Sequence, residues 1–205
     1  ALGCFESHII IWRQLVESGA PYAIAMEDDV VIAEDFDAFL ETGWIPEDAD
    51  IVRLEANMRS AILSRAPAAT VSGRLVRRLW SSTLGTGCYL ISARAARRLL
   101  DSPDLMIDQV DQVLFNDKSP HFQRMVVYQS CPAPIMQGRK LDIDRSAGWA
   151  ASDLGEERIE EARRLPSNSR LRRSKLWSMA RRIKTFLKHD IHGRSSVRIE
   201  YRETA

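Results

Sequence analysis

Apolar residues recur along this chain in two rhythms. From Cys4 to Ser18, Ile9, Ile10, Trp12, Leu15 and Val16 fall close to helical spacing, which predicts a helix that Gly19-Ala20-Pro21 ends. Tyr22 to Met26 is a short continuous apolar run, the pattern of a buried strand. Asp35 to Thr42 reads as a short helix with Phe36, Phe39 and Leu40 inward, and Asp50 to Glu55 as a second strand. Alternation in that strand puts Arg53 and Glu55 on one face. Ser60 to Leu84 alternates weakly and reads as an irregular or hairpin region with a strand around Val71 to Leu79. Leu84 to Ile91 passes from a glycine-bearing turn into an apolar strand, and Ser92 is placed to cap a helix over Ala93 to Leu100. A helix over Asp108 to Asn116 and a strand over Arg124 to Gln129 follow, before Cys131-Pro132-Ala133-Pro134 interrupts regular structure. Asp153 to Arg164 is weakly helical, Pro166 to Ser169 reads as a linker, and Leu171 to Lys188 is an amphipathic helix with Leu176, Ala180, Ile183 and Leu187 on one stripe.

The succession of helix, tight turn, apolar strand and polar strand end predicts an α/β fold with a mixed, mainly parallel sheet flanked by helices. In such sheets ligands gather at the carboxyl ends of the strands. A length of 205 residues suits one domain with an appendage. Charge divides it. Residues 1–161 hold 16 Lys/Arg against 25 Asp/Glu, whereas residues 162–189 hold ten basic residues and no acid. The expected organisation is a body over residues 1–160 and a linker with a basic amphipathic arm over 161–205. No apolar run nears the ~18 residues of a membrane span. The first residues, ALGCFESH, lack the features of a signal peptide and look like the interior of a domain. Three cysteines, an odd count without a secretion signal, point to reduced thiols in a cytoplasm.

The densest chemistry is Glu27-Asp28-Asp29, three adjacent carboxylates between apolar runs. Carboxylates held together repel, and a hard divalent cation such as Mn2+ or Mg2+ would neutralise them and bridge phosphate oxygens. The plainer alternative is a corner whose acids face water. In extended backbone Glu27 and Asp29 point one way and Asp28 the other. Gly85-Thr86-Gly87 is a turn whose glycines would let backbone approach a ligand, although most such pairs merely turn the chain; it is neither a Walker A loop nor a dinucleotide fingerprint. Asp108 and Asp111 would share the first turn of a helix, either as acids favoured by its dipole or with one of them as a general base. His8 reads as structural. The cysteines show no metal-ligand spacing and the four histidines are scattered, which argues against zinc catalysis. The basic arm, with Trp177 and its aliphatic stripe, resembles an interfacial helix on an anionic membrane rather than a pure phosphate grip, so nucleic acid is not the expected partner. A packing helix on the domain surface is the alternative.

Six segments in order, GCFESHIIIW, YAIAMEDDVVI, DIVRLE, LGTGCYLISARAARRLLD, QVDQVLF and VYQSCPAPIMQ, resemble glycosyltransferase family 25 over about Gly3 to Gln137. That family includes bacterial lipooligosaccharide galactosyltransferases and relatives that glycosylate collagen. The resemblance implies a GT-A-like fold and transfer of a hexose, typically galactose, from a UDP-sugar to a glycolipid or glycan acceptor at the inner face of the cytoplasmic membrane. Glu27, Asp28 and Asp29 match the acidic motif in the place of the metal-diphosphate ligand, with Glu27 also a candidate catalytic residue. Asp111 matches the second acidic position and is the candidate base; Asp108 does not fall on it. Gly85, Thr86 and Gly87 match the turn before the family's Gly-x-Tyr strand, and Arg53 and Glu55 match an Arg-Leu-Glu strand end, all five expected around the nucleotide-sugar. Family members usually begin with a strand that this chain starts after, so the sheet is expected to lack it. The alternative reading is a non-catalytic, membrane-associated relative that keeps the fold without the donor site, and a weaker one is a metal-dependent phosphoesterase.

Overall fold

The computed structural model describes residues 2–138 and 193–204. Helix α1 (Leu2–Ser18) leads through Gly19, whose φ of 73° suits glycine, into strand β1 (Tyr22–Met26). Strand β2 (Val30–Ile32) follows a tight turn, and a 3-10 turn over Phe36–Phe39 replaces the expected short helix. Then come β3 (Ile51–Arg53), β4 (Glu55–Ala56), β5 (Ser60–Ser64), β6 (Ala69–Val71), β7 (Arg74–Arg78) and β8 (Cys88–Ser92). Helices α2 (Ala93–Leu100), α3 (Val110–Phe115) and α4 (Pro120–Gln123) precede β9 (Val127–Cys131) and β10 (Ile135–Gln137), and β11 (Arg194–Arg198) returns from the far side of the undescribed stretch.

Six strands form the main sheet in the order β1-β8-β3-β9-β7-β6. Only β3 and β9 run parallel within it; the other neighbours are antiparallel. The sheet is mixed as expected, but its expected mainly parallel character is corrected to mainly antiparallel. The physical reason lies in β8, every residue of which is buried. Tyr89 and Ile91 enter one apolar cluster with Trp12, Leu99 and Phe115, while Cys88 and Leu90 enter a second on the opposite face with Val52, Leu54 and Phe39. A continuous apolar run reports cover on both faces and says nothing about strand direction. The region read as irregular or hairpin holds a hairpin of β6 and β7, turned by Ser72 and Gly73, both at positive φ, and β7 lies within the strand expected around Val71–Leu79. Helix α2 has the expected bounds, and the Ser92 hydroxyl accepts from the Ala95 N–H at 3.2 Å as its cap.

At Leu54 the chain changes sheets. Arg53 ends β3 in the main sheet, and Glu55 begins β4 in a small sheet of order β2-β10-β4. Strand β11 pairs with β5, and the residues after it stay on the body: Ala133 N–H donates to Glu200 C=O at 2.8 Å, and Ile199 is fully buried. The expected boundary near residue 161 and the helices expected over 153–164 and 171–188 lie outside the described residues.

Candidate active site

The ladder between β1 and β8 continues one step past β1, with Glu27 N–H donating to Gly87 C=O at 3.0 Å. That single bond sets the acidic stretch against the glycine turn, about sixty positions away in sequence. Thr86 Oγ1 donates to Glu27 Oε1 at 2.6 Å and Gln137 Nε2 donates to Oε2 at 2.8 Å, so the carboxylate points inward and is held at both oxygens. Burial pushes the Glu27 carboxyl above its ordinary pKa; the hydrogen bonds from Thr86 and Gln137 pull it back, and the neighbouring Glu55 and Asp29 charges add to the rise.

Asp28 and Asp29 form the turn into β2 rather than an extended strand. Asp28 is exposed and Asp29 half-buried. Asp29 C=O accepts from Gly138 N–H at 2.7 Å, and its charge reaches Glu27. The expected division, with Asp28 apart from the other two, is present in exposure, but a tight turn produces it instead of strand alternation.

Below the turn lies a buried ion pair. Arg53 and Glu55 are both 0% exposed and meet at 2.9 Å. Each guanidinium N–H of Arg53 has an acceptor: Nη2 donates to Glu55 Oε2 and Leu84 C=O, Nη1 to Glu55 C=O and Gln129 Oε1, and Nε to Gly85 C=O at 3.4 Å. Glu55 Oε2 also accepts from Gly87 N–H at 2.9 Å. A pair this enclosed holds only when its remaining donors and acceptors are filled, which these bonds achieve. The glycines are required by this enclosure. Gly85 sits at φ +110°, and a Cβ there would lie 2.8 Å from Glu55 Oε2; a Cβ on Gly87 would lie 3.0 Å from Glu55 Cδ. The close approach that the turn makes is to the Glu55 carboxylate.

An aromatic column joins this pair to α1. The Arg53 guanidinium lies 5.4 Å over Phe115, Phe115 meets Tyr89 edge-on at 5.9 Å, and His8 stacks on Tyr89 at 5.6 Å. The Tyr89 hydroxyl is shared by His8 Nδ1 at 2.8 Å and Trp12 Nε1 at 2.9 Å. Burial lowers the His8 pKa to about 4, so the ring is neutral at physiological pH.

Asp111 opens α3 and its charge favours the Arg53 cation. Its Oδ1 is buried and has no hydrogen-bond partner among the described residues. Asp108 lies before the helix, exposed, its side chain accepting from Gln109 N–H at 2.7 Å. Glu27, Arg53, Glu55, Gly85, Thr86 and Gly87 thus share one hydrogen-bonded network, Asp29 and Asp111 reach it by charge, and Asp28 stands outside on the surface. Gln129 and Gln137 belong to the network too, although no pattern in the sequence distinguishes their side chains; Tyr89 reaches it through the ring of Phe115.

Residues 1–114 match Glycosyltransferase family 25 (LPS biosynthesis protein), and the chain belongs to that family. It is 36% identical over 124 residues to the lacto-N-neotetraose biosynthesis glycosyltransferase LgtB of Neisseria meningitidis serogroup B, covering 56% of this chain and 45% of that protein. It is 33% identical over 177 residues to LgtE of the same organism, covering 78% and 61%. With the lipooligosaccharide biosynthesis protein lex-1 of Haemophilus influenzae it shares 29% identity over 172 residues, covering 78% and 56%. The matches with LgtB span about half of that relative's length.

Proposed function

We propose that this protein is a glycosyltransferase of lipopolysaccharide or lipooligosaccharide biosynthesis, moving a hexose, with galactose the favoured one, from a UDP-sugar to a glycan acceptor. The observation that carries this reading is the convergence of the acidic turn, the glycine turn and Asp111 around the Arg53–Glu55 pair. Asp28 and Asp29, oxygen donors on a solvent-reachable turn, suit a hard cation, Mn2+ or Mg2+. Such an ion, when bound, neutralises the diphosphate as it leaves. Glu27, held at both oxygens, fixes the direction of that turn. Arg53 and Glu55 are enclosed, so they position the glycine turn from beneath. Asp111, half-buried at the start of α3 and at the family's second acidic position, is the proposed acceptor of the proton from the attacking hydroxyl.

UDP release from UDP-galactose in the presence of Mn2+ tests this. Wild type is expected to release UDP, with Asp29→Ala and Asp111→Asn each slower by on the order of a hundredfold or more. Equal rates for wild type and Asp29→Ala would remove the metal role, and no turnover with any UDP-hexose would remove the donor. The basic stretch over residues 162–189 is proposed to hold the enzyme on the anionic inner face of the cytoplasmic membrane. No helix among the described residues is long and apolar enough to cross a membrane. Co-sedimentation with anionic liposomes that weakens as salt rises is the expected behaviour.

A further inference from the structure

We propose that Cys4, His8 and Glu27 form a binding site for a zinc-type transition metal, distinct from the hard-cation donors Asp28 and Asp29. One ligand atom from each of the three residues lies within 4.8 Å of the others. In a tetrahedral zinc site with bonds of about 2.0–2.3 Å, ligand atoms stand roughly 3.3–3.8 Å apart. With no separation above 4.8 Å, closing to that geometry takes at most about 1.5 Å on any edge.

The backbone explains the meeting. Cys4 and His8 are one helical turn apart on α1 and share a face. Helix α1 packs back against β1, and Glu27 follows directly on the last residue of that strand. No zinc motif is visible in the sequence, because the third ligand comes from a different element.

The outer partners that orient metal ligands are already in place. His8 is fixed through Nδ1 by the Tyr89 hydroxyl, which Trp12 also holds, and this leaves Nε2 for a metal in the tautomer that donates to Tyr89. Glu27 is fixed by Thr86 and Gln137, one on each oxygen, and each oxygen keeps a further lone pair. A thiolate, an imidazole and a carboxylate make a mixed soft and borderline set. Zinc accepts such a set, whereas Mg2+ and Mn2+ prefer oxygen alone. Three protein ligands leave a fourth position open, the pattern of a zinc site that takes water or a ligand. Metal here would tie α1 directly to the acidic turn.

The test is spectroscopic and independent of sugar transfer. The chelator-stripped full chain is titrated with Co2+ as a stand-in for Zn2+, with folding of each variant checked by circular dichroism. The expected result is the near-ultraviolet charge-transfer absorption of a cobalt thiolate, saturating with one equivalent of Co2+ at that site whatever the Asp28–Asp29 turn takes up, and bleached when Zn2+ is added. Cys4→Ser is expected to abolish that absorption. His8→Asn and Glu27→Gln are expected to weaken Co2+ binding on the order of tenfold or more while keeping the absorption at saturation. Asp29→Asn is expected to leave the thiolate absorption and its Co2+ dependence unchanged. No thiolate absorption from folded wild type at millimolar Co2+ would overturn the proposal. So would an absorption that survives Cys4→Ser, which would belong to Cys88 or Cys131, or one that disappears with Asp29→Asn.

Discussion

Two arginines, Arg53 and Arg74, are both fully buried and both pair with an acid. Arg53 meets a partner two residues away that is also fully enclosed, and spends its other donors on the turn that carries the candidate site. Arg74 makes a two-pronged pair with Asp35, at 2.9 and 2.6 Å, whose carboxylate keeps 20% of its exposure. Its other donors go to Ala133 C=O and Arg202 C=O, so it staples the end of the chain to the body. One chemistry serves two purposes. Without water, the Arg53 pair depends wholly on geometry and makes its surroundings rigid. With water at its rim, the Arg74 pair can lose an interaction and be partly rehydrated.

Breaking each pair from the acid side should expose that difference. Glu55→Gln leaves the Arg53 charge uncompensated in the interior, and a stability loss of about 3–5 kcal/mol is expected in urea unfolding, along with loss of UDP release. A loss under 1 kcal/mol would mean that water reaches Arg53. Gly85→Ala sharpens the point without touching a charge. A Cβ there meets Glu55 Oε2 at 2.8 Å from a backbone φ of +110°, so roughly 3 kcal/mol should be lost, and Gly87→Ala, strained by contact alone, should cost less.

The Arg53 side also carries an acid-sensitive group. His8 has a folded pKa of about 4 against 6.5 unfolded, so the unfolded chain binds the extra proton first. Its contribution is complete above about pH 6.5 and is lost as pH falls towards 4, about 2 kcal/mol between pH 7.5 and pH 5 in metal-free protein. Unfolding at those two pH values in wild type and His8→Gln measures it; equal slopes would refute the assignment. The mildest change should be Asp35→Asn, at roughly 1–2 kcal/mol, with faster amide exchange confined to residues around Ala133 and Arg202. Exchange spreading to Tyr89 would show that the two arginines are coupled.

The same contrast governs what was legible in the sequence. Arg53 and Glu55, two apart on an apparent strand, were predicted to share a face because strand alternation is local. The capping of α2 by Ser92 was legible for the same reason. The Asp35–Arg74 pair joins residues 39 positions apart and the Arg74–Arg202 bond 128 apart, and charges of both signs are common along the chain, so nothing marked these partners. Gln129 and Gln137 went unseen because an amide carries no charge signature and their bonds cross 76 and 110 positions. The hairpin over Ala69–Arg78 falls in the region read as irregular or hairpin, but weak alternation there left its turn at Ser72-Gly73 unplaced. Strand direction in the main sheet was not encoded in the apolar runs at all.

The return of β11 to the body has a practical corollary for the basic stretch. The described residues on either side of that stretch both bond to the body: Gly138 N–H donates to Asp29 C=O at 2.7 Å, and Gly193 C=O accepts from Arg65 N–H at 2.8 Å. Cutting the chain short to remove its positive charge would also strip away β11 and the Ile199 plug, so lost liposome binding could not be told from a damaged fold. Recolouring the charge instead, with glutamine at the ten basic positions and the length unchanged, would separate electrostatics from architecture.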